Sequence, residues 1–404
     1  MPLLSGKNLR MYAFQLGREY KLSIAEIYAM FPTAIPIHID EKFCILDIDS
    51  LDEILKKAKR MGGVIKIIKI QKNVRDVSEM ITQNAQNHEG KFRYGLSLFG
   101  QGNLKKMLMD QKKDLKTHGV SARFINKNFE NLSSAQIIAE DLVTRNSDFN
   151  VIQADKNIFV GTTVWVQDIN AYSKRDYGKT RDMLVGMLPP KLAQIMINIG
   201  TSSSSVGDIQ TQTVYDPFCG LGTVLIESML MGNSEVYGSD ISPENIEKTR
   251  KNINYTRKNF ENTIKTADVS VLDAKGISSS AYLKKSDIIV TEGYLGKAFL
   301  PHSVTLGKIQ EEKKELLEIY EKFFTGLQKA NFRKPLVVSF PFWEIQGKYY
   351  YFSEIYDIIK KYGKTLPLLP RMENIKHTKS GSLLYKRPGQ VVGREIFKIK
   401  IRNL

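Results

Sequence analysis

Thr213-Val-Tyr-Asp216-Pro-Phe-Cys-Gly220-Leu-Gly222-Thr223-Val-Leu-Ile-Glu227 is the stretch on which the fold of this 404-residue chain turns. A short apolar run leads into a tight turn with two glycines, and a second apolar run at helical spacing follows. Glycines at a strand-to-helix turn let the backbone come close to a ligand that a Cβ would hold away. About one strand later, Glu235-Val-Tyr-Gly-Ser-Asp240 ends in a carboxylate, and Ser242-Pro243-Glu244 opens another helix. Thr263-Ile-Lys-Thr-Ala-Asp268 reads as a third strand that again closes on an acid. Strands alternating with helices, each strand ending in a ligand-facing residue, predict an α/β domain with its site at the carboxyl ends of the strands.

The acids indicate which ligand. Asp240 can accept hydrogen bonds from ribose hydroxyls, and Asp268 is expected to meet an adenine amino group. A nicotinamide-dinucleotide domain is the rival reading. Against it, the turn opens with Asp216-Pro-Phe-Cys219, and a carboxylate there would crowd a pyrophosphate. S-adenosyl-L-methionine (SAM) carries a sulfonium and an ammonium group, which a carboxylate neutralises. SAM is the expected cofactor, with contacts from Asp216, Phe218, Gly220, Gly222, Thr223, Asp240, Ile241, Asp268 and Val269.

Upstream, the first seventy residues alternate as β-α-β-β-α-β. The elements are Met11–Gly17, a helix with the capping-box pattern Ser23-Ile-Ala-Glu26, Ala34–Ile39, Phe43–Ile48, Leu51–Met61 and Val64–Ile70. That order is ferredoxin-like. Residues 73–170 alternate again, with helices expected at Val77–Gln86, Leu104–Thr117 and Ser133–Arg145. Strands are expected at Phe92–Phe99, Ser121–Ile125, Phe149–Gln153 and Ile158–Val166. Here basic residues interleave with aromatics (Lys91, Arg93, Tyr94, Lys105, Lys112, Arg123, Phe124), as a nucleic-acid surface or as solvated helix faces. The chain therefore divides into a ferredoxin-like unit at 1–72, a second α/β unit at 73–170 and the glycine-turn domain at 171–404. Gly200–Gln212 reads as a polar surface loop.

The net charge of +16 suits a polyanionic partner, although a composition rich in Lys, Ile and Asn accounts for part of it. Two cysteines, Cys44 and Cys219, exclude a disulfide framework or a cysteine-rich zinc site, and the five histidines lack ligand spacing, so no metal is expected. No stretch has the length and apolarity of a membrane span, and Met1–Lys7 lacks an export signal, so the cytoplasm is the expected location. The sequence leaves the oligomeric state open.

Asp216-Pro-Phe-Cys-Gly-Leu-Gly-Thr223 resembles the first motif of base N-methyltransferases. The segment Arg175-Asp-Tyr-Gly-Lys-Thr-Arg-Asp-Met-Leu-Val-Gly-Met-Leu-Pro-Pro-Lys-Leu-Ala193 resembles the one preceding it in the THUMP-domain tRNA guanosine-N2 methyltransferase family. The resemblance implies a Rossmann-like class I methyltransferase sheet with an antiparallel C-terminal hairpin, for which Gly381–Tyr385 and Val392–Ile396 are the candidates. It also implies a THUMP-like RNA-binding domain at 73–170 and methylation of a base exocyclic amine, at guanosine N2 of tRNA. Ribosomal RNA or DNA amino-methylation, or RNA binding without catalysis, are the alternatives.

In that family the fourth strand ends in Asp or Asn, two prolines, and Tyr or Phe. Here it reads Ser286-Asp-Ile-Ile-Val290-Thr-Glu292-Gly-Tyr294, with the acid and the aromatic but neither proline. Glu292 and Tyr294 are the expected catalytic residues. An exocyclic amine is a poor nucleophile because its lone pair is delocalised into the ring. Acceptors on its protons localise that pair, and an aromatic ring stacks on an extruded base. Phe340-Pro-Phe-Trp343, expected after the fifth strand, could line a base pocket or pack in the core.

Overall fold

The structure, a computed structural model, describes residues 9–71, 76–177, 187–201, 212–233, 235–260, 266–299, 303–372 and 374–402. The chain runs β1 (Met11–Leu16), α1 (Tyr20–Met30), β2 (Ile35–Ile39), β3 (Phe43–Asp47), α2 (Leu51–Ala58), β4 (Val64–Ile70), α3 (Val77–Gln86) and β5 (Phe92–Phe99). It continues through α4 (Leu104–Thr117), β6 (Ala122–Phe124), α5 (Ser134–Ala139), β7 (Asp148–Ala154), β8 (Asn157–Val166) and α6 (Ile169–Tyr177). Then follow α7 (Pro190–Thr201), β9 (Thr213–Asp216), α8 (Thr223–Leu230), β10 (Glu235–Asp240), α9 (Pro243–Asn259), β11 (Thr266–Val271) and a 3₁₀ segment, Ala274–Ser279. The last elements are α10 (Ala281–Lys285), β12 (Ile288–Thr291), α11 (Leu306–Lys329), β13 (Pro335–Ile345), β14 (Lys348–Tyr351), α12 (Ile355–Tyr362), β15 (Gly363–Leu366), β16 (Leu383–Tyr385) and β17 (Val392–Ile401).

These elements form two compact units. One holds the described residues of Met1–Tyr20, Thr33–Lys59 and Val64–Lys174, and the other those of Lys21–Pro32, Arg60–Gly63 and Arg175–Leu404. The first unit is built on one sheet in the order β2-β3-β1-β4-β8-β7-β5-β6. Its first four strands have the ferredoxin-like order, with β1 antiparallel to both β3 and β4. The β4–β8 pairing makes that set continuous with the strands of residues 73–170. Lys66, on the central strand β4, is buried, and its Nζ reaches Asn150 Oδ1 at 2.6 Å and Asp148 Oδ2 at 3.2 Å on β7. A buried ammonium needs such partners, which ties it to one register across the sheet. The helix expected over Ser133–Arg145 stops at Ala139, after a capping box between Ser133 and Gln136. Left-handed backbone at Asp141 and Asn146 then turns the chain so that Leu142 is buried.

The second unit carries the sheet path β11-β10-β9-β12-β13-β17-β15. Strands β9 to β13 are parallel, while β17 lies antiparallel between β13 and β15, and β16 pairs with β17. The path from β9 leads to β10 on one side and β12 on the other, which makes β9/β12 a topological switch point. Strand β9 is buried along its whole length, as a parallel strand covered by helices on both faces requires. Phe340, Phe342 and Trp343 lie inside β13 rather than after it, and all three are wholly buried, so that run packs in the core.

The Ser23–Glu26 capping box does not form. Helix α1 begins at Tyr20, and Ser23 is buried inside it. The Glu26 carboxylate instead accepts the backbone N–H groups of Gly62 and Gly63 at 2.9 and 2.8 Å, and the Asn198 amide at 2.7 Å. Three buried tertiary donors outcompete one local cap. Burial pushes the Glu26 carboxyl up to about 7, and the three donors oppose that rise. Glu26→Ala is expected to lower stability by about 3 kcal/mol, because two buried N–H groups lose their acceptor. Urea unfolding checks this, and a midpoint unchanged from wild type would contradict it.

Candidate active site

The glycine turn follows directly from β9. Gly220 and Gly222 have φ of +50° and +82°, and a Cβ on Gly222 would stand 2.8 Å from Thr249 Cγ2. Only glycine suits Gly222 on both counts. Asp216, the last residue of β9, is 2% exposed; its Oδ1 accepts the Phe218 N–H at 3.0 Å, and the Thr291 hydroxyl also bonds the carboxylate. Burial, with smaller contributions from the Asp240 and Glu292 charges, pushes its carboxyl up to about 7, against those two hydrogen bonds.

Asp240 closes β10 and organises the turn. Its Oδ2 accepts the Gly220 N–H at 3.0 Å, and its Oδ1 accepts the Ser242 N–H at 2.9 Å and the Asn245 amide at 3.1 Å. An ionised carboxylate offers about four acceptor sites, so capacity for a ligand hydroxyl remains. Ile241 and Val271 are 63% and 52% exposed at the carboxyl ends of neighbouring strands. They present apolar surface that a flat ring would cover.

After β12, Glu292 is largely buried and pairs with Arg394 of β17 through the guanidinium Nε. Burial raises the Glu292 carboxyl above its ordinary range, and Arg394 and Arg387 pull it back. The Glu292 carbonyl accepts the Ser339 hydroxyl at 2.6 Å, and the Tyr294 carbonyl accepts the Tyr320 hydroxyl at 2.7 Å.

A cleft open to solvent lies between the glycine turn and Glu292. Asp216, Phe218, Gly220, Thr223 and Glu292 line it, together with Met187, Leu188 and Asn245. Tyr294 is not among the lining residues. Its ring packs against the core around Tyr320, where the Glu312, Glu315 and Lys297 charges act on its phenol. Cys219 is buried, and its thiol is pushed far up by burial and the nearby carboxylates, which suits packing and not nucleophilic attack.

Asp268 and Val269 need correction. They were expected at the carboxyl end of a strand over 263–268, but β11 runs Thr266–Val271, and residues 261–265 lie outside the described residues. In register, Asp268 faces Tyr237, and Asp240 faces Val271. The Asp268 carboxylate accepts the Tyr282 hydroxyl at 2.9 Å, and Val269 is buried. The acid that does follow the strand end is Asp273: Leu272, just before it, donates its N–H to the Asp240 carbonyl at 3.0 Å. The sequence carried that signal in Val271-Leu-Asp-Ala274, but an earlier acid drew the strand end forward. In the segment Arg175–Ala193, residues 178–186 lie outside the described residues, as do 202–211 of the polar loop. Arg175 meets Glu227 at 2.6 Å, and the segment reaches the cleft at Met187 and Leu188.

Two further carboxylates, Asp240 and Glu292, act on Asp216, which lines the cleft with Glu292. That excess of negative charge fits a ligand bearing sulfonium and ammonium groups and opposes a pyrophosphate. Among the described residues no group of three or more His, Cys, Asp or Glu could hold a metal, and no helix is long and apolar enough to cross a membrane.

The sheet order and the glycine turn define a Rossmann-like α/β domain in which the antiparallel strand β17 lies between β13 and β15. Residues 178–331 match the family described as UPF0020, RMKL-like, methyltransferase domain. The tRNA (guanine(10)-N2)-dimethyltransferase of Methanothermobacter thermautotrophicus is 32% identical over a segment covering 33% of this chain. That segment spans about half of the relative, 45% of its length. The family match supports the likeness to methyltransferases carried by the sequence motifs, and the relative supports the likeness to tRNA guanosine-N2 methyltransferases. The crystal structure of TrmN from Thermus thermophilus aligns with 98% of this chain and 100% of its own, at 13% identity and a TM-score of 0.48.

Proposed function

We propose that this chain transfers a methyl group from SAM to the exocyclic amine of an RNA base, guanosine N2 of tRNA. The buried Asp216 carboxylate, crowded by Asp240 and Glu292 at the mouth of a glycine turn, carries the reading. It is a pocket in need of a cation. SAM supplies an activated methyl group on its sulfonium. Asp216, Gly220 and Thr223 would hold its amino-acid end, and Asp240, Ile241 and Asp273 its nucleoside.

Glu292 would accept hydrogen bonds from the target amine. SAM, when bound, would supply the methyl group that the amine nitrogen accepts. The nitrogen, now cationic, sheds one proton to the Glu292 carboxylate. In-line placement contributes most of the rate gain.

The substrate reading rests on the net charge of +16, on the printed name of the relative, and on cations that lie over aromatic rings in residues 73–170. There Lys105 Nζ stands 5.1 Å from the Phe129 ring centre, and Lys112 Nζ stands 6.0 Å from that of Phe124. We assign residues 73–170 to RNA binding and 171–404 to catalysis on this basis.

Transfer of labelled methyl from SAM to unmodified tRNA, ribosomal RNA and DNA, followed by nucleoside analysis, tests the proposal. Label recovered as N2-methylguanosine in tRNA is the expected result. Label elsewhere would replace the substrate, and no label with SAM bound would point to a binding protein.

SAM affinity should also depend on pH. With its carboxyl at about 7, Asp216 is partly protonated in the empty protein at neutral pH. A cation beside it favours the ionised form, so binding below pH 7 releases a proton. The Kd is expected to rise by up to about tenfold per pH unit as pH falls below that point. Calorimetry from pH 5.5 to 8 in buffers of different ionisation enthalpy reads this directly. A flat profile would remove Asp216 from the cation site.

A further inference from the structure

Arg394 lies 102 positions beyond Glu292 in the chain and meets it from another strand. It stands opposite Pro341 of β13, and its side chain is 3% exposed. Its guanidinium carbon is 5.9 Å from the ring centre of Tyr385, on β16. A buried guanidinium persists only where its charge is matched, and Glu292 provides that match.

The loop is held at two further points. The Ser339 hydroxyl takes the Glu292 carbonyl and the Tyr320 hydroxyl takes the Tyr294 carbonyl. Between them Gly293 has φ +71°, and a Cβ there would stand 2.5 Å from the Tyr320 hydroxyl. Glu292 itself lines the cleft.

We propose that Arg394 is a positioning residue for methyl transfer: it fixes one oxygen of Glu292 and leaves the other to accept from the target amine. This rests on the function proposed above. Two hydroxyl clamps and one guanidinium supply the stiffness that two prolines would give the same loop. The charge environment of Glu292 is mixed. Burial disfavours its ionised form, as does the Asp216 carboxylate, whereas Arg394 and Arg387 favour it. Lysine would keep the charge but lose the planar fork that sets the direction of the carboxylate.

Arg394→Met and Arg394→Lys test the idea, compared with wild type for kcat, KM for tRNA, SAM Kd and the pH profile of kcat. The Glu292 titration is followed in parallel by carboxyl ¹³C resonances of Glu-labelled protein, assigned by the signal lost in Glu292→Gln. For Arg394→Met, kcat should fall about 30-fold or more with KM and SAM Kd within about threefold. Without the guanidinium the ionised carboxylate is disfavoured, so the acidic limb of kcat and the Glu292 titration should both move up by about one pH unit or more. Arg394→Lys should retain the titration but recover only part of kcat. A kcat within about threefold of wild type, or a uniform loss with the titration unmoved, would overturn the proposal. If wild type transfers no methyl group, the proposed activity falls. The titration then decides by itself whether Arg394 governs Glu292, since an unmoved resonance in both variants rules it out.

Discussion

Glu292→Gln is expected to slow methyl transfer by about 100-fold or more while SAM affinity stays within about threefold. The amide keeps the length and most of the packing of the native side chain, but it exchanges one acceptor oxygen for a donor. Arg394 then faces a neutral partner, and the side chain can no longer serve both the guanidinium and the amine. No contact to the glycine turn is lost, because Glu292 follows β12 and Asp240 holds Gly220 from β10. Single-turnover transfer at saturating SAM and RNA isolates the step. Rates within about threefold of wild type would remove Glu292 from the chemistry.

Asp240→Ala should raise the SAM Kd by about two orders of magnitude. The carboxylate acts twice, once as the expected acceptor of ribose hydroxyls and once as the anchor of the turn. Losing its bonds to the N–H groups of Gly220 and Ser242 frees the loop that shapes the cleft. Asp240→Asn separates the two parts, since its amide oxygen can still accept from one backbone N–H. It should fall between wild type and alanine. Calorimetry at fixed pH gives the affinities, and alanine binding SAM as tightly as wild type would end the cofactor assignment at this position.

Local signals made much of the fold legible. Val64–Ile70, Val77–Gln86, Phe92–Phe99 and Leu104–Thr117 form with the bounds their patterns predict. The two helices among them are capped by Asp76 and Asn103, whose side chains accept a backbone N–H of the first turn. Other features depended on long-range contacts that periodicity does not encode. The register of β11 against β10 moved the strand end from Asp268 toward Asp273. The partners of Glu26 lie 36, 37 and 172 positions away, so its local pattern misled. Within the site, Asp216, Phe218, Gly220, Thr223 and Glu292 converge on one cleft as the motif order suggests, while Tyr294 is drawn into the core. Arg394 was invisible, because no spacing rule links a strand near residue 394 to a loop at 292.

The position of β17 has a consequence for synthesis. Strands β13 and β15 each pair with β17, so the sheet path between them passes through residues 392–401. The same strand delivers Arg394 to Glu292. On a ribosome the glycine turn emerges well before this strand, and domains generally fold as units. Because β17 lies within the same sheet as β9 to β13, the glycine turn and the Glu292 loop are expected to form in one folding unit. Any variant that loosens β17 is therefore expected to disturb the sheet edge at β13 and β15 and the Glu292–Arg394 pair together.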